Sequence, residues 1–258
     1  MRRLAALTTL ALAAGCGLQN HRVAVGTVVR SPEAGGAGAT TAQVFFGDRP
    51  DGAGAPTGIA GADVTLSWTG GAASSVGLDP VGPAGWYQVT GTDIPYVPGT
   101  TYTVTVASRG ELFTISSVAP ARPAIQELVP GTPAFPPASA VTFEKQTVSR
   151  AGDDVAFYAV APLSGAPTCT NAPVGAGSQD AARLVELLLA PAAWQVPSFE
   201  LWRTDLAPTS AQRCFPAPAA GQYVVTLTAL AKGGASSNLF TGSGLLVGAS
   251  DAGVLLVQ

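Results

Sequence analysis

Runs of alternating apolar and polar residues, each cut short by glycine or proline, constrain this chain more than any other feature. Val64, Leu66 and Trp68 fall on one face of residues 64–68, and Tyr102, Val104 and Val106 do the same across 102–106. A period of two places such residues on one side of a pleated strand, whereas a helical face needs a period near 3.6. The 31 glycines and 21 prolines fall between runs of this kind, which is how sandwiches and barrels punctuate their turns. An all-β chain is expected, and a hydrophobic content of 47% is enough for a packed core.

Further strands are expected at 43–46, 85–89 and 112–118, the last after a hairpin turn at Arg109-Gly110. Residues 119–138 hold six prolines and little alternation, the composition of a semi-rigid linker or crossover. Beyond it, strands are expected at 141–143, 154–160, 199–202 and 221–230, and a terminal hairpin at 245–247 and 254–257 turning through 250–253. Residues 178–190 differ. Ser178 or Asp180 can cap a helix there and Pro191 would stop it, with a buried strand at 184–189 as the competing reading. Residues 23–29 read either as a first strand or as part of a flexible spacer. Gly99 to Val106 and Gly221 to Leu227 share glycine, tyrosine and Val-Thr in one order, and Leu-Phe-Thr follows at 112–114 and 239–241. Duplication and convergent strand grammar both account for this.

Gly-x-x-Gly-Ala-Asp-Val-Thr-Leu at 58–66 resembles the opening of carboxypeptidase regulatory-like, transthyretin-type domains. Trp68 and the Pro98-Gly99-Thr100-Thr101-Tyr102 run resemble the strand tryptophan and tyrosine corner of fibronectin type III domains. Both resemblances imply an immunoglobulin-like sandwich. The expected architecture is therefore two tandem immunoglobulin-like β-sandwich domains, at 40–119 and 139–258, joined by a linker at 120–138, with one short helix possible in the second.

The N-terminus carries an address. Arg2 and Arg3 precede an apolar run at 4–14 that is shorter than the roughly 20 residues a spanning helix needs, which is the layout of a secretory signal. It ends in Leu12-Ala13-Ala14-Gly15-Cys16, which resembles the lipobox of bacterial lipoproteins, although Ala13 stands where leucine is commonest. The resemblance implies cleavage after residue 15, a diacylglyceryl group on the Cys16 thiol, labelling by palmitate, and a location at the cell envelope. An outer-membrane site is expected, periplasmic or surface-exposed. Each buried CH₂ contributes about 0.8 kcal/mol, so two or more acyl chains anchor stably where one is marginal. Residues 16–39 are expected to serve as anchor and spacer.

Little chemistry accompanies that address. The net charge is −3, and the loss of Arg2 and Arg3 with the signal makes it more negative; nucleic-acid binding would need clustered lysine and arginine. Cys169 and Cys214 form the remaining pair of cysteines, read as a disulfide in an exported protein or as two buried thiols. As a disulfide they would contribute about 4 kcal/mol. Two thiols without nearby histidine do not complete a zinc shell, and no metal or cofactor is expected. His21, the one histidine, stands five residues beyond Cys16, where no scaffold is expected to hold it for Ser-His-Asp, Cys-His or metal chemistry. Asp48 and Asp51 lack the further oxygens of a calcium loop. Gly242-Ser243-Gly244 reads as a turn, because a nucleophile elbow needs Gly-x-Ser-x-Gly between strand and helix. Asp153 with Asp154, or Glu186 with Glu200, are the formal carboxylate pairs, read more simply as a turn and as solvated faces. Of Trp68, Trp86, Trp194 and Trp202, Trp194 is the candidate for an exposed ligand contact, with a core position as the alternative. A non-catalytic, lipid-anchored envelope protein with a structural or protein-binding role is expected. The second reading is a carbohydrate or small-ligand binding module.

Overall fold

The computed structural model describes residues 21–32, 38–49, 54–70, 74–123, 155–162, 169–170, 179–189 and 221–257. The strands are β1 (Arg22–Arg30), β2 (Thr40–Asp48), β3 (Thr57–Gly58), β4 (Asp63–Trp68), β5 (Ser75–Pro80), β6 (Trp86–Gly91), β7 (Thr101–Ser108) and β8 (Glu111–Val118). After these come β9 (Val155–Pro162), β10 (Cys169–Thr170), the helix α1 (Ala181–Leu189), β11 (Gly221–Lys232), β12 (Gly234–Ala235) and β13 (Gly244–Val257).

The alternation that marks β4 and β7 has its expected outcome. The two strands pair antiparallel, Leu66 opposite Val104 and Trp68 opposite Tyr102, with those side chains buried and the intervening ones more open. β7 turns into β8 through Arg109 and Gly110, both at positive φ, so Ser108 faces Glu111 across a two-residue hairpin loop.

The described strands form one sheet, in the order β10-β9-β11-β13-β1-β2-β6-β5-β4-β7-β8-β12, with β3 beside β2. It folds over at β5, whose first residues pair with β4 and whose last two pair with β6. At the other side β12 pairs with β8, Ser117 Oγ donates to the Ala231 carbonyl, and the Gly233 amide bonds the Leu245 carbonyl. The sheet thus comes close to closing into a barrel.

Two cores result. Between the layers lie Ala24, Val28, Val44 and Phe46 from β1 and β2, Leu66, Tyr102, Val104, Phe113 and Ile115 from the facing strands, and Leu245 and Val247 from β13. On the outer face, Val23, Val25, Phe45, Trp86, Leu230 and Leu246 meet Ala181, Leu184, Val185 and Leu187 of α1. β1, β2 and β13 are therefore covered on both sides, which calls for near-continuous apolar runs in place of alternation. Asp180 caps the helix, its Oδ1 accepting the Arg183 amide at 3.0 Å, as expected for 178–190.

Three expectations change. Residues 22–30 form a strand inside the sheet, paired with β2 on one side and parallel to β13 on the other, so this part of 16–39 is no spacer. The terminal hairpin is absent: β13 runs unbroken from Gly244 to Val257 because β11 pairs along it through Thr228–Ser250 and Leu227–Asp251. The Thr228 and Ser250 hydroxyls bond each other at 2.7 Å, which accommodates polar residues where a turn is expected. Strands from both sides of 120–138 also share one sheet and one core, so the pairing does not confirm two tandem sandwiches. β7 lies between β4 and β8, while β11 lies between β9 and β13. The similar segments at 99–106 and 221–227 thus occupy different layers. The expected strands at 141–143 and 199–202 lie outside the described residues.

Candidate functional site

The end of the sheet closest in sequence to Cys16 is assembled from three distant segments. β1 begins at Arg22, and the β1–β2 register sets it opposite Asp48; guanidinium and carboxylate form an ion pair at 2.5 Å. The Arg49 amide donates to the His21 carbonyl at 2.8 Å and the Phe240 amide to the Arg22 carbonyl at 2.7 Å. Arg49 then lays its guanidinium over the Phe240 ring, 5.0 Å from the centroid, a cation–π contact that leaves its charge without a carboxylate partner among the described residues. α1 completes this rim. A Cβ on Gly242 would lie 2.7 Å from Val185 Cγ1 and 3.3 Å from Leu189 Cδ1, so the glycine lets the last helical turn rest on the 240–243 loop. Leu189 is left 51% exposed beside it.

The opposite end of β1 holds a buried polar cluster. Arg30 donates to Thr40 Oγ1 at 3.2 Å and to the Ile94 carbonyl at 3.4 Å, and Thr40 Oγ1 donates to the same carbonyl at 2.9 Å. The Tyr102 hydroxyl donates to the Pro95 carbonyl. Burial, opposed in part by the nearby Arg30 charge, pushes Tyr102 up from 10.0 to about 12. These bonds fix the 94–100 segment across this end of the sheet. A shallow cavity of about 420 Å³ lies on another side, lined by Thr101, Ser116, Ser117, Val118 and Lys232 among others. It offers hydroxyls and one ammonium, with no acid–base pair.

The residues singled out from sequence are not brought together. Cys16, Trp194 and Cys214 lie outside the described residues, as do Asp51, Asp153, Asp154, Glu200 and Trp202. Cys169 opens β10 opposite Val160. His21 is exposed just ahead of β1. Trp68 and Trp86 are buried, at 6% and 4% exposure, so neither is free to stack on a sugar. Asp48 is engaged by Arg22 and Glu186, exposed, by Arg183 at 2.6 Å. Ser243 Oγ accepts the Ala24 amide at 3.2 Å, a turn that ties the loop to β1. Among the described residues no group of three or more His, Cys, Asp or Glu side chains is placed to hold a metal ion. No helix among them is long and apolar enough to cross a membrane.

The rim of Arg22, Arg49 and Phe240 and the cluster around Arg30 were not expected from sequence. Arg22 and Arg30 flank a segment whose apolar pattern reads equally as strand or spacer, and Phe240 is about 200 positions away. The available signal is the flanking of an apolar run by arginine at both ends. No protein-family model and no curated protein matches the chain.

Proposed function

We propose that this chain is exported, acylated at Cys16 and held at a bacterial cell envelope, where the folded sheet serves a non-catalytic role, structural or protein-binding. The observation that carries the reading is Leu12-Ala13-Ala14-Gly15-Cys16 at the end of a short apolar run behind two arginines. The fold is consistent with it. β1 starts at Arg22, so five residues separate the acylated cysteine from the sheet. Of the described carboxylates, Asp48, Asp180 and Glu186 are engaged in an ion pair or a helix cap. For 40–119 we retain an immunoglobulin-like sandwich, supported by the Tyr102–Pro95 bond and by Trp68 in the core between the layers. A second, separate sandwich over 139–258 finds no such support, because β13 contributes to the core of the first.

Palmitate labelling and membrane fractionation test the anchor: Cys16→Ser should lose both the label and the membrane association, and a labelled, membrane-bound variant overturns the proposal. Crosslinking with affinity capture from the native envelope then tests the role, a specific protein partner being expected. Recovery of glycan alone would favour the carbohydrate-binding alternative. The Cys169–Cys214 disulfide is proposed alongside, checked by thiol titration of the unreduced, denatured chain, in which two reactive thiols would exclude it.

A further inference from the structure

The rim around Arg22 and Arg49 combines features that no single segment shows. The molecule as a whole is acidic, at −3, yet this end carries Arg22 and Arg49 against Asp48, with Arg183 and Glu186 of α1 paired with each other and His21 exposed. Asp48 is spent on Arg22, which leaves the Arg49 charge in excess. Phe240 is half-buried beneath that guanidinium, and Leu189 projects next to the same loop. Arginine above an aromatic ring, flanked by an exposed leucine, matches the boundary between lipid headgroups and acyl chains. The covalent reach agrees. His21 stands five positions beyond Cys16, and a fully extended chain spans at most about 3.6 Å per residue, so an acyl chain on Cys16 would hold this end within about 18 Å of the bilayer surface.

We propose that the rim formed by His21, Arg22, Arg49, Phe240 and Leu189 docks on an anionic lipid surface and sets the orientation of the sheet upon it. The inference rests on the reading of Cys16 as the acylated residue. An anionic surface repels the acidic body of the molecule while attracting this end, so orientation follows from charge asymmetry even where the attraction is weak. β1 then stands away from the membrane, with the Arg30–Tyr102 end outermost.

Hydrogen exchange of the acylated, full mature chain tests this on two kinds of vesicle, phosphatidylcholine alone and phosphatidylcholine with one part in four phosphatidylglycerol. The anchor holds the chain to both, so the comparison isolates the rim. Amides at 21–23, 186–189 and 239–243 should exchange several-fold more slowly on the anionic vesicles, and those at 94–100 should not change. Arg49→Gln and Leu189→Ser should each reduce the difference in a chain that stays folded, with the Tm lowered by no more than a few degrees for the lost packing, and molar salt should abolish the electrostatic part. Equal exchange at the rim on both vesicles overturns the docking and leaves the anchor intact. Should the chain float with neither vesicle, the anchor reading fails, and the unacylated Cys16→Ser chain decides the rim by itself. Arg49→Gln should then weaken its partition onto anionic vesicles by about fivefold, and an unchanged partition overturns the proposal.

Discussion

The Tyr102 hydroxyl couples one residue to the pH range over which the sheet holds. Buried and bonded to the Pro95 carbonyl, it keeps its proton up to about pH 12, whereas the unfolded chain releases it near 10. The raised value means that the contribution is complete below pH 10 and is lost as pH climbs through 12. Urea titrations should show stability falling across this window. Tyr102→Phe should flatten that fall and cost about 1 kcal/mol at neutral pH. Gly85 has a different constraint: at φ 87° its amide neighbourhood is so close to β2 that a Cβ would lie 2.5 Å from the Phe46 carbonyl oxygen. Gly85 and Phe46 also share a backbone bond at 2.8 Å. Gly85→Ala should therefore destabilise by about 3 kcal/mol, combining overpacking with a left-handed backbone, measurable as a lower Tm.

Among the elements, α1 is the one whose removal uncovers a whole face. Leu184, at 2% exposure, sits in the core it forms against β1, β2 and β13. Leu184→Ala should cost about 3 kcal/mol, while Asp180→Ala, which removes only the cap, should cost about 1 kcal/mol; denaturant midpoints distinguish the two. This helix was legible because a capping carboxylate, an amphipathic run and a closing proline coincide. β4, β7 and β8 were legible for a related reason, since one buried face gives clean alternation. β1 and β13 were not. With both faces covered, their apolar residues run together, and Ser250 to Gly253 imitate a turn although β11 holds them in the sheet. The rim was illegible on different grounds. Arg22, Arg49 and Phe240 meet only through pairing across the sheet, and no local pattern encodes that meeting.

At the scale of the whole molecule, the core belongs to neither half of the chain. Leu245, Val247 and Ala249 are fully buried against residues contributed by the first eight strands. A fragment of residues 21–123 should therefore lack a cooperative unfolding transition that the full chain shows, and a sharp transition in the fragment would establish it as a self-sufficient domain. The parallel pairing of β1 with β13 has a mechanical consequence. Tension applied at His21 and Val257 draws the strands past each other lengthwise and loads the register from Val25–Gly244 to Arg30–Ala249 all at once. Tension applied at His21 and Arg49, which lie at the same end of the antiparallel β1–β2 pair, opens its bonds one after another. Single-molecule pulling should thus need a markedly higher force in the first geometry than in the second. A protein tethered to a bilayer at its N-terminal end and gripped near its C-terminal end would meet strain along its most resistant direction.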